Sequence, residues 1–245
     1  MADGGTAMRP VDDRRFADRP RAPIDPDPQG GAERWRLPGA DGATLSELFA
    51  VSPRDGGWVG FLSAMLGAGR PLLWVQERMA IMESGRVHPP GLPPCDLIHV
   101  EARDARAALW AMEEGLRCSG LGAVIGEIWG DPAALDFTAT RRLAVAAERY
   151  GVAAYLIRLG GHANLSGARM RWRIASAPSL AHPLNAKAPG QPTWDAELFR
   201  ARGFQPGRWS VAHDPGDESG AASGFHLVAA PEHRTVGEVD RRRSA

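Results

Sequence analysis

Lysine is almost missing from this chain: of its 29 basic residues only Lys187 is a lysine, and all the others are arginines. A mechanism that needs a lysine ammonium anywhere else is thereby excluded. Cysteine is scarce as well. Cys95 and Cys118 fit no metal or redox spacing and are expected to be unbridged thiols. The seven histidines form neither a His-Glu-x-x-His motif nor a Cys/His cluster, which argues against a bound metal. The sequence lacks both an apolar run of about 18 residues and an N-terminal signal core, which predicts a cytoplasmic protein with no membrane contact. Net charge is zero, so the chain as a whole is not built to bind a polyanion.

What is present is ordinary globular material, 44% apolar and 24% charged over 245 residues, enough for one substantial core. Residues 1–30 carry six aspartates, five arginines and five prolines with few apolar side chains, and residues 231–245 end in Arg241-Arg242-Arg243. Both are expected to be disordered, leaving residues 31–230 as the folded domain. Trp35 and Leu37 are placed at its start.

Within the domain, apolar runs and helical stripes alternate. Thr44–Val51, Pro71–Val75, Asp96–Val100, Leu121–Trp129 and Val152–Leu159 are predicted strands. Between them, Trp58, Phe61, Leu62, Met65 and Leu66 make one apolar helical stripe. Ala105, Ala108, Leu109, Met112 and Leu116 make another, with Asp104 as its N-cap and Glu113/Arg117 as an i, i+4 ion pair. A short helix is expected over Glu77–Ser84. A longer one runs from an Asp136 or Thr138 cap to Tyr150 and stops at Gly151. Strands separated by helices predict βαβ units, a mainly parallel twisted sheet and helices on both faces.

After residue 160 the pattern changes to period two. Arg169, Arg171 and Arg173 alternate with Met170, Trp172 and Ile174. Trp194–Arg202 and Gly207–His213 then form an antiparallel pair across Gly203–Pro206. A turn-rich Asp214–Gly224 loop and a last strand over Phe225–Ala229 complete an antiparallel C-terminal extension. Trp58, Trp74 and Trp110 are assigned to the core. Trp194 and Trp209 frame the hairpin, as core residues or as interface anchors.

A first strand, a glycine-bearing loop and a helix is the setting of a phosphate loop, Gly-x-x-x-x-Gly-Lys-Ser/Thr. There, backbone N–H groups cradle phosphate, lysine neutralises it and the hydroxyl holds Mg²⁺. Here the loop is Asp55-Gly56-Gly57-Trp58-Val59-Gly60. Gly57 stands where lysine belongs and Trp58 where the hydroxyl belongs, so Gly56, Gly57 and Trp58 form a degenerate site. Glu127, at the end of an interior strand, occupies the position of a magnesium carboxylate. Without lysine and hydroxyl it is expected to be structural, with Asp131 and Asp136 as turn and cap residues. The site is then non-catalytic and holds no cofactor.

Function is accordingly sought on the surface. From Arg141 to Arg208 eleven basic residues face only three acidic ones, Glu148, Asp195 and Glu197. Such a local excess suits DNA phosphate or an acidic partner, and equally a solvated sheet face with salt bridges to the acidic N-terminal half. The candidates are Arg169, Arg171 and Arg173, aimed alike by period two, together with Arg200, Arg202 and Arg208.

Several stretches resemble one family. They are residues 101–116 (Glu-Ala-Arg-Asp-Ala-Arg-Ala-Ala-Leu-Trp-Ala-Met-Glu-Glu-Gly-Leu), 124–131 (Val-Ile-Gly-Glu-Ile-Trp-Gly-Asp), 135–143, 196–203 and 206–209. Across residues 44–230 these look like ImuA, a RecA/SulA-related accessory protein of bacterial DNA-damage mutagenesis. The resemblance implies a RecA-like core. Where RecA carries a nucleotide-sensing amide after the strand like Val152–Leu159, this chain has Arg158-Leu159-Gly160-Gly161.

The resemblance further implies an SOS translesion-synthesis scaffold, nucleoid-associated when DNA is damaged. It would act with an ImuB-type Y-family polymerase homologue and, indirectly, an error-prone C-family DNA polymerase. RecA contact and weak DNA binding would be compatible with that role. Two other roles stay open. One is a RecA-type ATPase with an atypical phosphate site using Glu127 and Glu77; the other is a SulA-like regulator that caps a filament-forming protein.

Overall fold

The computed structural model describes residues 37–39, 42–185, 187–213 and 224–228. The segments 1–30 and 231–245, Trp35, and residues 214–223 of the expected loop lie outside these. Among the described residues nine strands form one sheet: β1 (Leu45–Ala50), β2 (Leu72–Glu77), β3 (Leu97–Ala102), β4 (Ala123–Trp129), β5 (Ala153–Leu159), β6 (Met170–Ala177), β7 (Thr193–Ala201), β8 (Gly207–His213) and β9 (Phe225–Leu227). Their spatial order is β3-β2-β4-β5-β1-β6-β7-β8-β9. The six strands from β3 to β6 pair in parallel, and β6 to β9 pair antiparallel. The expected RecA-like α/β arrangement with an antiparallel extension is therefore what the chain adopts.

Helices α1 (Gly57–Met65), α2 (Arg78–Ser84), α3 (Ala105–Leu116) and α4 (Phe137–Tyr150) divide between the two faces. Trp58, Phe61 and Leu62 of α1 and Ala80 of α2 share one core with Leu48, Trp74, Ile125, Trp172 and Trp194. The apolar stripes of α3 and α4 build the other, over Leu45, Val75, Val124 and Leu156. Alternation along β1 explains the split: Leu48 faces the α1 side, and Leu45, Glu47 and Phe49 face the α4 side.

The helix termini follow their sequence signals. Asp104 accepts the Ala107 N–H at 2.8 Å, and Asp136 accepts that of Ala139 at 2.7 Å. Gly151 closes α4 in the left-handed conformation, φ 68°, where a side chain would be strained.

Two local expectations are corrected. Trp110 is 64% exposed rather than core, because it lies well over a quarter-turn from the Ala105–Leu109–Met112–Leu116 stripe. Glu113 and Arg117 do not pair with each other. Glu113 meets Arg142 of α4 at 3.1 Å, and Arg117 lies 3.6 Å from Glu114. An interhelical partner displaces the local one.

Candidate functional site

The loop between β1 and α1 lies where a phosphate would bind, and its first free amide is already taken. The Gly57 N–H donates to Asp55 Oδ1 at 2.8 Å. The same carboxylate accepts the Ser176 N–H at 2.9 Å and the Ser176 hydroxyl at 2.6 Å, from the end of β6. A helix N-terminus favours an anion, and here the chain supplies its own. Space is closed as well: a Cβ on Gly57 would stand 2.6 Å from Ser176 Oγ and 2.8 Å from its backbone nitrogen. Trp58 is buried in the α1-side core and points away from solvent.

Glu127 is 2% exposed on β4. Trp74 Nε1 donates to one of its oxygens, and Gln76 Nε2 donates to the other at 3.0 Å, both from neighbouring β2. Gln76 is itself fixed by accepting the Val87 N–H at 3.0 Å. Burial pushes the Glu127 carboxyl up to about 7, against the opposing pull of the two donors. It lines a cavity of about 220 Å³ with Trp58, Trp74 and Leu92. Glu77, at the end of β2, is also buried and accepts the Trp129 N–H at 3.0 Å. Among the described residues no group of three or more His, Cys, Asp or Glu side chains is placed to hold a metal ion.

Asp131 departs from its expected turn role. Gly130, at φ 65°, turns the chain after β4 so that the Asp131 carboxylate meets Arg158 at 2.5 Å and His162 Nδ1 at 2.6 Å. Arg158 thus stands in an ion-pair network at the end of β5. Its guanidinium is pushed below its usual value by burial, with Glu47 and Asp131 opposing. Nothing in the sequence near Asp131 signalled this, because its partners lie 27 and 31 residues away.

The candidate arginines divide. Period two does put Arg171 and Arg173 on one face of β6, but that face is an internal ionic layer. Arg171 Nε meets fully buried Glu47 at 2.6 Å, Ser166 Oγ donates to Glu47 at 2.8 Å, and Arg158 Nη1 lies 3.8 Å away. Phe49 lies beneath Arg158 and Arg171, and Phe199 beneath Arg171 and Arg173, at 5.0–5.4 Å from guanidinium carbon to ring centroid. Arg173 pairs with Glu197 at 2.5 Å, and Arg169 with Glu148 at 2.6 Å. Arg208 is buried and meets Asp195 at 3.3 Å. Burial withdraws Arg171 and Arg208 from any surface role, which corrects the expectation for those two. Arg200 and Arg202 remain exposed at the end of β7.

The sequence reading missed where the exposed arginines gather. Arg141, Arg142 and Arg149 lie on the outer side of α4, on the same edge of the molecule as Arg169, Arg200 and Arg202. The hairpin tryptophans are packing residues: Trp194 is buried beside Phe61 and Phe225, and Trp209 packs on Trp172 at 6.1 Å.

Comparison with curated proteins places this geometry. Protein ImuA of Caulobacter vibrioides is 36% identical over 151 residues, in strain NA1000 / CB15N and equally in strain ATCC 19089 / CIP 103742 / CB 15. The chain is similar to ImuA over that stretch. The match covers 58% of this chain and spans 59% of the length of these ImuA relatives. No family model matches the chain. The chain carries a RecA-like frame whose phosphate loop is filled by Asp55, and no described helix is long and apolar enough to cross a membrane.

Proposed function

We propose that this ImuA-like chain is a non-catalytic scaffold of a DNA-damage-induced translesion synthesis complex. Its direct partner in this reading is an ImuB-type Y-family polymerase homologue, through which an error-prone C-family polymerase is reached. It would work in the cytoplasm and on the nucleoid when DNA is damaged.

One observation carries the non-catalytic part: the Asp55 carboxylate occupies the helix N-terminus that a nucleotide phosphate would need. Gly57 and Trp58 supply neither the charge nor the hydroxyl that phosphoryl transfer requires. The similarity to ImuA supports the pathway.

The test has two arms. Purified protein is expected to show no ATP turnover, and the chain is expected to co-purify with the polymerase homologue from DNA-damaged cells. Turnover abolished by Glu127→Gln would replace this reading with an ATPase of atypical site. Retention of a filament-forming protein with no polymerase homologue would replace it with a SulA-like capping regulator.

A further inference from the structure

The outer surface of α4 mixes exposed arginines with exposed apolar side chains. Phe137, Arg141, Val145 and Arg149 follow one another at spacings of four, so they form a ridge along one side of the helix. Phe137 is 40% exposed and Val145 47% exposed, apolar side chains placed between cations. A groove flanks the ridge on each side. The one against α3, about 310 Å³, is lined by Arg117, Arg142 and Arg149, with Glu113 the only acidic residue. The other, about 620 Å³, lies against the 166–169 segment and the end of β7 and is lined by Arg169, Arg200 and Arg202. Arg141 and Val145 line both.

Seven arginines therefore surround the ridge, with Glu113, Glu114 and Glu148 the acidic groups beside them. Three of the seven are already paired: Glu113 holds Arg142 at 3.1 Å, Glu114 lies 3.6 Å from Arg117, and Glu148 holds Arg169 through both carboxylate oxygens. Arg141, Arg149, Arg200 and Arg202 are exposed and have no ion-pair partner among the described residues. In a chain of zero net charge this is a concentrated positive surface, and it encloses two apolar side chains.

We infer that the α4 ridge docks an acidic, partly apolar polypeptide segment of a partner protein, whose carboxylates enter the two flanking grooves while its apolar residues cover Phe137 and Val145. Charge complementarity fixes the sign of the partner. The apolar pair decides its class. Arginine matches carboxylate and phosphate alike through its planar fork. A phosphodiester backbone, however, leaves Val145 uncovered, and its regularly spaced charges also meet Glu113 and Glu148. A peptide can place its acids around those two residues and bury the valine. The inference deepens the scaffold reading and rests on it for the nature of the partner.

The experiment uses the full chain and a labelled helical peptide with Leu and Phe at i, i+4 spacing and Asp or Glu elsewhere, followed by fluorescence anisotropy. Binding is expected to weaken about tenfold in Arg141→Glu/Arg200→Glu and severalfold in Val145→Ser, and to fall with added salt. Arg103→Glu, a reversal at an exposed site off the ridge, is expected to leave binding unchanged. Circular dichroism confirms that each variant is folded.

Absence of binding, or an equal loss in Arg103→Glu, overturns the inference. It is also overturned if single-stranded oligonucleotide binds with the same arginine dependence but no response to Val145→Ser, which would make the ridge a nucleic-acid surface. Co-purification of the polymerase homologue untouched by the α4 variants would sink the ridge and leave the scaffold reading standing. ATP turnover would do the reverse.

Discussion

Glu47→Ala tests the claim that the arginines of β5 and β6 are structural. Glu47 is fully buried, accepts from Ser166 and Arg171, and faces Arg158. Its removal leaves Arg171, only 4% exposed in its side chain, with no carboxylate, and leaves Arg158 with Asp131 alone. Breaking one partner of a buried pair costs about 3–5 kcal/mol, because the surviving charge stays desolvated. For a domain of this size each kcal/mol lowers Tm by roughly 2–4 °C, so the variant should melt about 6–20 °C below the parent. Arg173→Ala provides the contrast. Its side chain is 30% exposed, and loss of the Glu197 pair should cost no more than about 1 kcal/mol. Urea unfolding followed by far-UV circular dichroism measures both. A Glu47→Ala loss below about 1 kcal/mol, or one equal to that of Arg173→Ala, would refute the buried ionic layer and return these arginines to the surface.

Three further outcomes follow from the closed loop and its neighbours. Because burial raises the Glu127 carboxyl above its unfolded value, the native state holds its proton longer, and that contribution is lost as pH rises from about 4.5 to about 7. Glu127→Gln should therefore gain stability on the parent as pH rises across that window, by roughly 3 kcal/mol between its ends, on top of a pH-independent cost because its single amide oxygen can accept from only one of the two donors; flat relative stability from pH 4 to 8 would contradict it. Asp55→Ala removes three hydrogen bonds and should cost about 2–3 kcal/mol. Added sulfate should recover more of that loss in the variant than it adds to the parent, since the helix N-terminus is then open, and equal salt responses would count against the internal-anion picture. Gly57→Lys, which restores the missing lysine, should lower Tm and yield no ATP hydrolysis, because its Cβ meets the Ser176 backbone at 2.8 Å; a stable, active Gly57→Lys protein would refute this.

How much was legible depended on how far apart the partners are in the chain. The β1–α1–β2 start, the Asp104 and Asp136 caps and the Gly151 stop rest on neighbours within a few residues, and all are found where periodicity and capping chemistry put them. The degenerate loop was legible in its missing lysine and hydroxyl. Its Asp55 plug was not, since Ser176 lies 121 residues away. Trp110 borders the apolar stripe of α3, and the turn of about 100° from Leu109 to the next residue is enough to carry it into solvent. The strand Met170–Ala177 was found by its alternation, but alternation gives a shared face without saying what covers it. Glu47 reaches Arg171 only because β1 and β6 are neighbours in the parallel sheet, in the register Glu47↔Arg171.

That register also explains why counting charge along the chain misplaces the exposed positive surface. The eleven basic residues from Arg141 to Arg208 include Arg158, Arg171 and Arg208, all buried. Arginine tolerates this because its guanidinium stays charged and spreads its donors over several acceptors, whereas a buried lysine tends to lose its proton. A chain nearly without lysine can therefore keep cations inside its sheet, and its arginine richness is partly a feature of its core. Subtracting the buried arginines shifts the remaining excess off β6 and onto the outer side of α4 and the end of β7. The exposed positive surface is then set by helix geometry, residues four apart on α4, and not by the strand whose alternating arginines are most conspicuous in the sequence.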